Sequence, residues 1–278
     1  MKSSLRIKGT LDRLYCDYLT EFRRSPGRFF ETRRDPVLFP HRYSNFHDIE
    51  AAAFIAATFA YGNVTSLCGF IDRLLGLLQP SPYAFLKEGP AAVAALHEKR
   101  PYYRLHKTPE IVGFLTMLSR VYFSGGTLYN IFQSAYDKNS IMHSSLSCFV
   151  ANLRKLSNVP LKFLLPSPED GSTCKRLNLF LRWMVRRDGI DFGLWTDVSP
   201  ASLIMPVDTH IGRAAYRLGW IGTPSLGWKK AEQITEVLRG FDPDDPTRYD
   251  FALCHESIAK SEWLSKLIAN KRRARVAK

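Results

Sequence analysis

Negative charge is scarce in this chain: 26 Asp and Glu stand against 39 Lys and Arg in 278 residues, a formal charge of +13. That imbalance predicts attraction to polyanions, with nucleic acid ahead of a membrane surface. Cysteines are few and scattered, at Cys16, Cys68, Cys148, Cys174 and Cys254. No pair has the close spacing of a zinc site, and an odd number predicts free thiols rather than a disulfide framework. No metal or cofactor is expected. Long apolar runs are missing as well. The most apolar stretch, Ile49 to Tyr61, falls far short of the ~20 residues that a membrane span needs. Residues 1–30 carry Arg and Lys throughout and lack the apolar run of a signal peptide. A soluble, cytoplasmic protein without membrane contact is the expectation. Strand alternation, internal repeats and low-complexity tracts are also absent, as are a Ser–His–Asp arrangement, a phosphate-binding Gly loop and a paired-His metal motif.

What is present is helical period, on a chain long enough to bury a sizeable core. A helix is expected around Gly9–Phe22, followed by a Pro- and Arg-rich link from Ser25 to Arg42. Asp48 is expected to cap the next helix, AAAFIAATFAY, which is apolar on nearly every side and therefore buried. Leu67–Leu78 repeats the pattern and ends at Pro80. Further helices are expected at Pro90–His97, Pro109–Tyr122, Leu128–Ala135 and Ser144–Leu156.

The second half is more informative. In KRLNLFLRWMVRR, Leu177, Phe180, Leu181, Met184 and Val185 follow the spacing of a core-facing stripe. The opposite side presents Lys175, Asn178, Arg182 and Arg186, and reads as a basic, outward face. An irregular stretch with Trp195 follows, leading into PVDTHIGRAAYRLGW. There Asp208 stands where an N-cap carboxylate accepts helix-end N–H groups, and Gly219 is placed to end the helix. His210, Arg213 and Arg217 line the face opposite Ile211, Ala214, Ala215 and Leu218. Helices are expected at Lys229–Arg239, stopped by Gly240, and from the Asp245–Pro246 cap through YDFALCHESI. A short amphipathic and basic tail closes the chain.

PVDTHIGRAAYRLGW resembles the segment of helix-hairpin-helix DNA glycosylases related to endonuclease III in which Val-Asp-Thr-His opens a helix ending in Arg-Leu-Gly. Upstream, that family has a Leu-Pro-Gly-Val-Gly hairpin, then a catalytic Lys, then Asn three residues on. Here Leu165-Pro166 begins a longer turn, Gly171 lies four residues before Lys175, and Asn178 three after it. YDFALCHESI resembles, more loosely, the family's later helix with its His. FIAATFAYGNVTSL resembles its early buried helix and the polar turn after it. The whole chain resembles a bacterial branch of this superfamily without the iron–sulfur cluster, whose cysteines are absent here. The second hairpin glycine is replaced by Thr173, where glycine would let the backbone approach a phosphate. Between Lys175 and Asp208 the chain is longer than the family's, by an insertion at 187–203.

The resemblance implies an all-α fold of two helical subdomains flanking a DNA-binding cleft. Residues 1–149 would form the N-terminal subdomain, 150–260 the helix-hairpin-helix and catalytic-Asp segment, and 261–278 a basic tail. It implies base excision on damaged duplex DNA, and with it a nucleoid-associated location. Asp208 would stabilise positive charge developing at the sugar. Lys175, as a neutral amine, would attack the sugar carbon, form a Schiff base and permit strand cleavage. Its pKa would then have to be depressed, by burial beside Leu177 and Phe180 or by adjacent Arg176. Contacts to DNA are expected from Gly171, Thr173, Arg176, Asn178, Arg182, Arg186, His210, Arg213 and Arg217. Tyr61 and Asn63 would fill the gap left by an extruded base. Two alternatives stay open: a monofunctional glycosylase relying on Asp208 alone, and a non-catalytic DNA- or RNA-binding protein on the same scaffold.

Overall fold

Proline starts helices in this chain more often than it stops them. A computed structural model describes residues 2–136 and 141–258, and the expected basic tail at 261–278 lies outside them. Among the described residues the fold is all-α, with no strand. After α1 (Lys2–Arg24), Pro26 opens α2 (Pro26–Arg33), and Pro36 and Pro40 open two single 3₁₀ turns. The 25–42 segment is therefore largely helical rather than a plain link. Proline has no N–H to lose in a first turn, and its fixed φ suits that position.

Next come α3 (Phe46–Thr58), α4 (Val64–Gly76), α5 (Pro82–Lys87), α6 (Pro90–Ala94), α7 (Thr108–Phe123), α8 (Leu128–Ala135) and α9 (Met142–Lys155). The C-terminal part holds α10 (Lys175–Val185), α11 (Thr209–Arg217), α12 (Trp228–Arg239) and α13 (Asp250–Ile258). The short α5 is not announced by the sequence pattern, because Pro-Ser-Pro looks like a turn; Ser81 caps it and Pro82 begins it. A second difference concerns α3. Its N-cap is Asn45, whose side chain accepts from the Asp48 N–H, while Asp48 reaches across to the Tyr83 N–H at the start of α5.

The buried α3 is the axis of the molecule: every residue from Asp48 to Thr58 is buried. Its small residues let neighbours approach from all sides, and Phe54 meets Phe114 of α7, Phe149 of α9 and Phe180 of α10. Among these apolar contacts sits Glu50. Its carboxylate accepts from the Tyr122 hydroxyl at 3.1 Å, the Leu128 and Tyr129 N–H groups at 2.9 Å, and Trp195 Nε1 at 3.2 Å. One side chain thus caps α8 and ties it to α7 and to the 187–203 segment. Burial pushes the Glu50 carboxyl up to about 7, against the four donors that favour its anion.

The 187–203 segment is neither a lid nor an arm. The Phe192 and Trp195 N–H groups bond to the Trp183 and Met184 carbonyls at 2.8 Å, continuing the end of α10. Trp195 is fully buried against Phe132 and Phe180. At the other edge of the fold, α1 and α2 pack on α13, through Tyr18–Phe251 and Phe29–Phe251 ring contacts. No single helix among the described residues is long and apolar enough to cross a membrane.

Glu50→Ala is expected to leave several buried donors without an acceptor, at about 1–3 kcal/mol for each one unsatisfied. A total near 4 kcal/mol would lower Tm by roughly 10 °C, readable by scanning calorimetry. A shift of only a degree or two would contradict the role given to Glu50.

Candidate active site

Two helices begin at the floor of a cavity of about 1030 Å³, and their starts carry Lys175 and Asp208. Lys175 is the first residue of α10, and Asp208 is the N-cap of α11. Asp208 divides its oxygens. Oδ1 accepts from the His210 and Ile211 N–H groups, both at 2.9 Å, which fixes the carboxylate against the positive end of α11. Oδ2 is left 3.3 Å from Lys175 Nζ. The cap bonds therefore orient an oxygen that is still free to act on a neighbour.

A third helix starts on the same floor, with Asp250 at the head of α13 and Cys254 and His255 one turn on. Burial disfavours the Lys175 ammonium, yet the Asp208 and Asp250 carboxylates help outweigh it and raise the amine above its ordinary value. The depressed lysine expected from the sequence is thus not found. Arg176 does not act on Lys175 either: its guanidinium turns away, donating to the Thr58 carbonyl at 2.7 Å and to that of Phe163. Leu177 and Phe180 pack into the core, and of α10's apolar residues it is Leu179 that lines the cavity. Burial pushes the Cys254 thiol well up, so it stays a thiol.

The largest correction concerns Arg182 and Arg186. Both are buried, so neither can reach a phosphate. Arg182 pairs with Asp191 at 3.1 Å and with Asp250. Arg186 pairs with Asp188 at 3.1 Å, Asp245 at 2.8 Å, and Asp191. The carboxylates come from the 187–203 segment and from the approach to α13, so the polar stripe of α10 is neutralised inside the protein. Asn178, 1% exposed, is likewise internal: its amide donates to the Thr173 carbonyl at 3.0 Å and braces the hairpin.

The hairpin between α9 and α10 is tied down from several sides. Arg154 of α9 binds the Leu165 carbonyl and Asp170. Gly171, at φ 72, supplies the left-handed turn that glycine adopts without strain. Its N–H bonds to the Pro168 carbonyl and so is not free for a phosphate, while its own carbonyl accepts from the Trp228 N–H. Thr173 lines the cavity. His210, Arg213 and Arg217 are exposed on the outer face of α11, His210 at the cavity's edge.

Tyr61 and Asn63 occupy the turn before α4. Asn63 is engaged as its N-cap, accepting from the Thr65 and Ser66 N–H groups, which withdraws its side-chain oxygen from gap filling. Tyr61 lines the cavity with its ring under the Arg176 guanidinium, 5.1 Å from the centroid. Sequence reasoning missed Asp250, Asp35 and the position of His255, all on the cavity wall. Only the loose likeness around YDFALCHESI pointed that way.

Compared with known proteins, residues 35–259 match the family described as "Protein of unknown function (DUF2400)". The chain belongs to this family. The match runs from Asp35 past His255 and so takes in the floor residues of all three helices. No curated protein and no solved structure matches the chain. No cluster of three His, Cys, Asp or Glu side chains suited to a metal ion occurs among the described residues.

Removing the nearest anion disfavours the ammonium, so Asp208→Asn is expected to lower the Lys175 pKa. ¹³C NMR of the reductively methylated protein reads that titration, and an unchanged or raised value would contradict the pairing. Arg182→Met strands Asp250 as a buried carboxylate and leaves Asp191 with Arg186 alone, a loss of about 3–5 kcal/mol. It should appear as a lower midpoint in urea unfolding, whereas a solvent-facing arginine would leave that midpoint in place.

Proposed function

We propose that the protein is a DNA base-excision enzyme of the helix-hairpin-helix type, a glycosylase with abasic-site lyase activity on damaged duplex DNA. The observation that carries this reading is the meeting of Lys175 and Asp208 at 3.3 Å on the floor of a cavity. In this reading two helical subdomains flank the cavity, which receives a nucleotide turned out of the duplex. His210 at the cavity, Arg213 and Arg217 farther along the exposed face of α11, and Thr173 at the hairpin take the phosphates. Asp208 stabilises the positive charge that develops at C1′ as the base departs. It also stands close enough to Lys175 to accept the ammonium proton. The amine then adds to C1′ and forms the Schiff base from which the strand is cut.

A second reading is favoured by one observation, that the surrounding carboxylates hold Lys175 in its charged form. An ammonium has no lone pair to offer. In this alternative Asp208 activates water, Lys175 acts as a fixed positive charge, and no covalent adduct forms.

Borohydride trapping separates the two. Duplexes carrying an abasic site, 8-oxoguanine, thymine glycol or uracil would be incubated with wild type, Lys175→Ala and Asp208→Asn. The lyase reading expects a trapped adduct that disappears with Lys175→Ala. Base release without an adduct moves the assignment to the hydrolytic enzyme. Neither adduct nor release on any duplex would overturn both, and leave a non-catalytic nucleic-acid-binding protein. Arg213→Ala and Arg217→Ala should each weaken DNA binding with little dependence on sequence, and flatten the log–log salt slope by roughly 1 for each phosphate no longer neutralised. An unchanged slope would remove α11 from the interface.

A further inference from the structure

At the end of the cavity formed by α13 and the residues before the first 3₁₀ turn, an imidazole faces a carboxylate. His255 Nε2 lies 3.7 Å from Asp35 Oδ2, and both side chains line the cavity. Each partner is fixed independently. Asp35 is the N-cap of its 3₁₀ turn, accepting from the Val37 N–H at 2.9 Å. The His255 ring rests on Phe251 at 4.2 Å between centroids, with Tyr18 behind it at 6.1 Å. Nε2 is enclosed and makes no hydrogen bond, and the His255 side chain as a whole is 18% exposed. Asp35 is half-buried, which raises its carboxyl, but His255, Arg182 and the Val37 N–H hold it below the ordinary range. The Asp35 carboxylate stands at Nε2, on one side of the ring, and Nδ1 is left to serve a ligand. The other charges at this end are Arg33, stacked on Tyr18, Glu256 on the Tyr18 hydroxyl, and Asp250 beside Arg182.

The Lys175–Asp208 pair lines the same cavity as Cys254 and His255. Cleavage of a glycosidic bond needs help at two places. Positive charge builds on the sugar, and the electron pair of the breaking bond builds negative charge on the base. Lys175 and Asp208 answer only the first.

We propose that His255, oriented by Asp35, is the general acid that protonates the departing base, an assignment that rests on the glycosylase reading. As the C1′–N bond breaks, its electron pair moves onto the base. The imidazolium Nδ1 proton passes to a ring nitrogen or oxygen of the base, leaving neutral imidazole. C1′ takes its new bond from the Lys175 lone pair or from water. A general acid of this kind contributes about 10²–10⁴-fold.

The test separates breaking of the glycosidic bond from strand scission. Single-turnover base release would be measured on duplexes carrying 8-oxoguanine, thymine glycol or uracil, and strand scission on a duplex with a preformed abasic site. Affinity for a duplex with a tetrahydrofuran abasic analogue reports the integrity of the cavity. His255→Gln and Asp35→Asn are expected to slow base release by about 10²-fold or more, leaving scission and analogue affinity at wild-type levels. Wild-type release should fall as pH rises and the imidazolium is lost, and His255→Gln should lack that limb. Release unaffected by either substitution, or a limb that persists in His255→Gln, overturns the assignment. Equal losses in release, scission and affinity make the residue structural and overturn it too. No release by wild type from any duplex would remove the glycosylase reading, and this assignment with it.

Discussion

Two guanidinium groups on α10 are taken out of water, and the way they are neutralised dictates where the site can form. Arg182 and Arg186 draw Asp188 and Asp191 from one segment and Asp245 and Asp250 from another. Leaving any of these charges unpaired in the interior would cost several kcal/mol, so the three pieces of chain are held in one register. The head of α10, where Lys175 sits, is thereby locked to the head of α13. Asp208 needs only its own helix cap to complete the floor. The web adds specificity of position more than stability, since a well-packed apolar core would be at least as stable.

The immediate neighbours of Lys175 are acidic, although the molecule as a whole is basic. A chain with an excess of 13 positive charges sets Asp208 and Asp250 beside Lys175, in a cavity that Arg33, Arg34, Lys162, Arg176 and Arg182 also line. Three helix starts converge there, and their positive ends offset part of the repulsion. An exterior that attracts phosphates and an interior that stabilises positive charge are complementary demands. Together they suit a reaction in which an anionic polymer is bound at the surface while a cationic sugar develops inside.

Much of the helical framework was legible because local signals agree with it. Apolar stripes located α3, α10 and α11, and the Asp208 cap and the stop at Gly219 were readable from neighbouring residues alone. The arginine stripe on α10 misled for a physical reason. Helical period separates apolar from polar faces, but it cannot say whether a polar face meets water or carboxylates supplied from Asp245 and Asp250. Prolines in the 25–42 segment misled in another way, because they suit a first turn as well as a link. The closeness of Lys175 and Asp208 was reached through a family resemblance and not through local pattern. Nothing in the neighbourhood of Asp35 or His255 announces that they face each other; that contact belongs to the tertiary fold.

The central claim is that Lys175, among the many lysines of a basic protein, is the group that meets the sugar. Peptide mapping by mass spectrometry, after reaction with an abasic duplex and cyanoborohydride, tests it most directly. The account predicts that the reduced sugar adduct is found on the peptide carrying Lys175 and disappears with Asp208→Asn. An adduct on other lysines, with Lys175 unmodified, would contradict it.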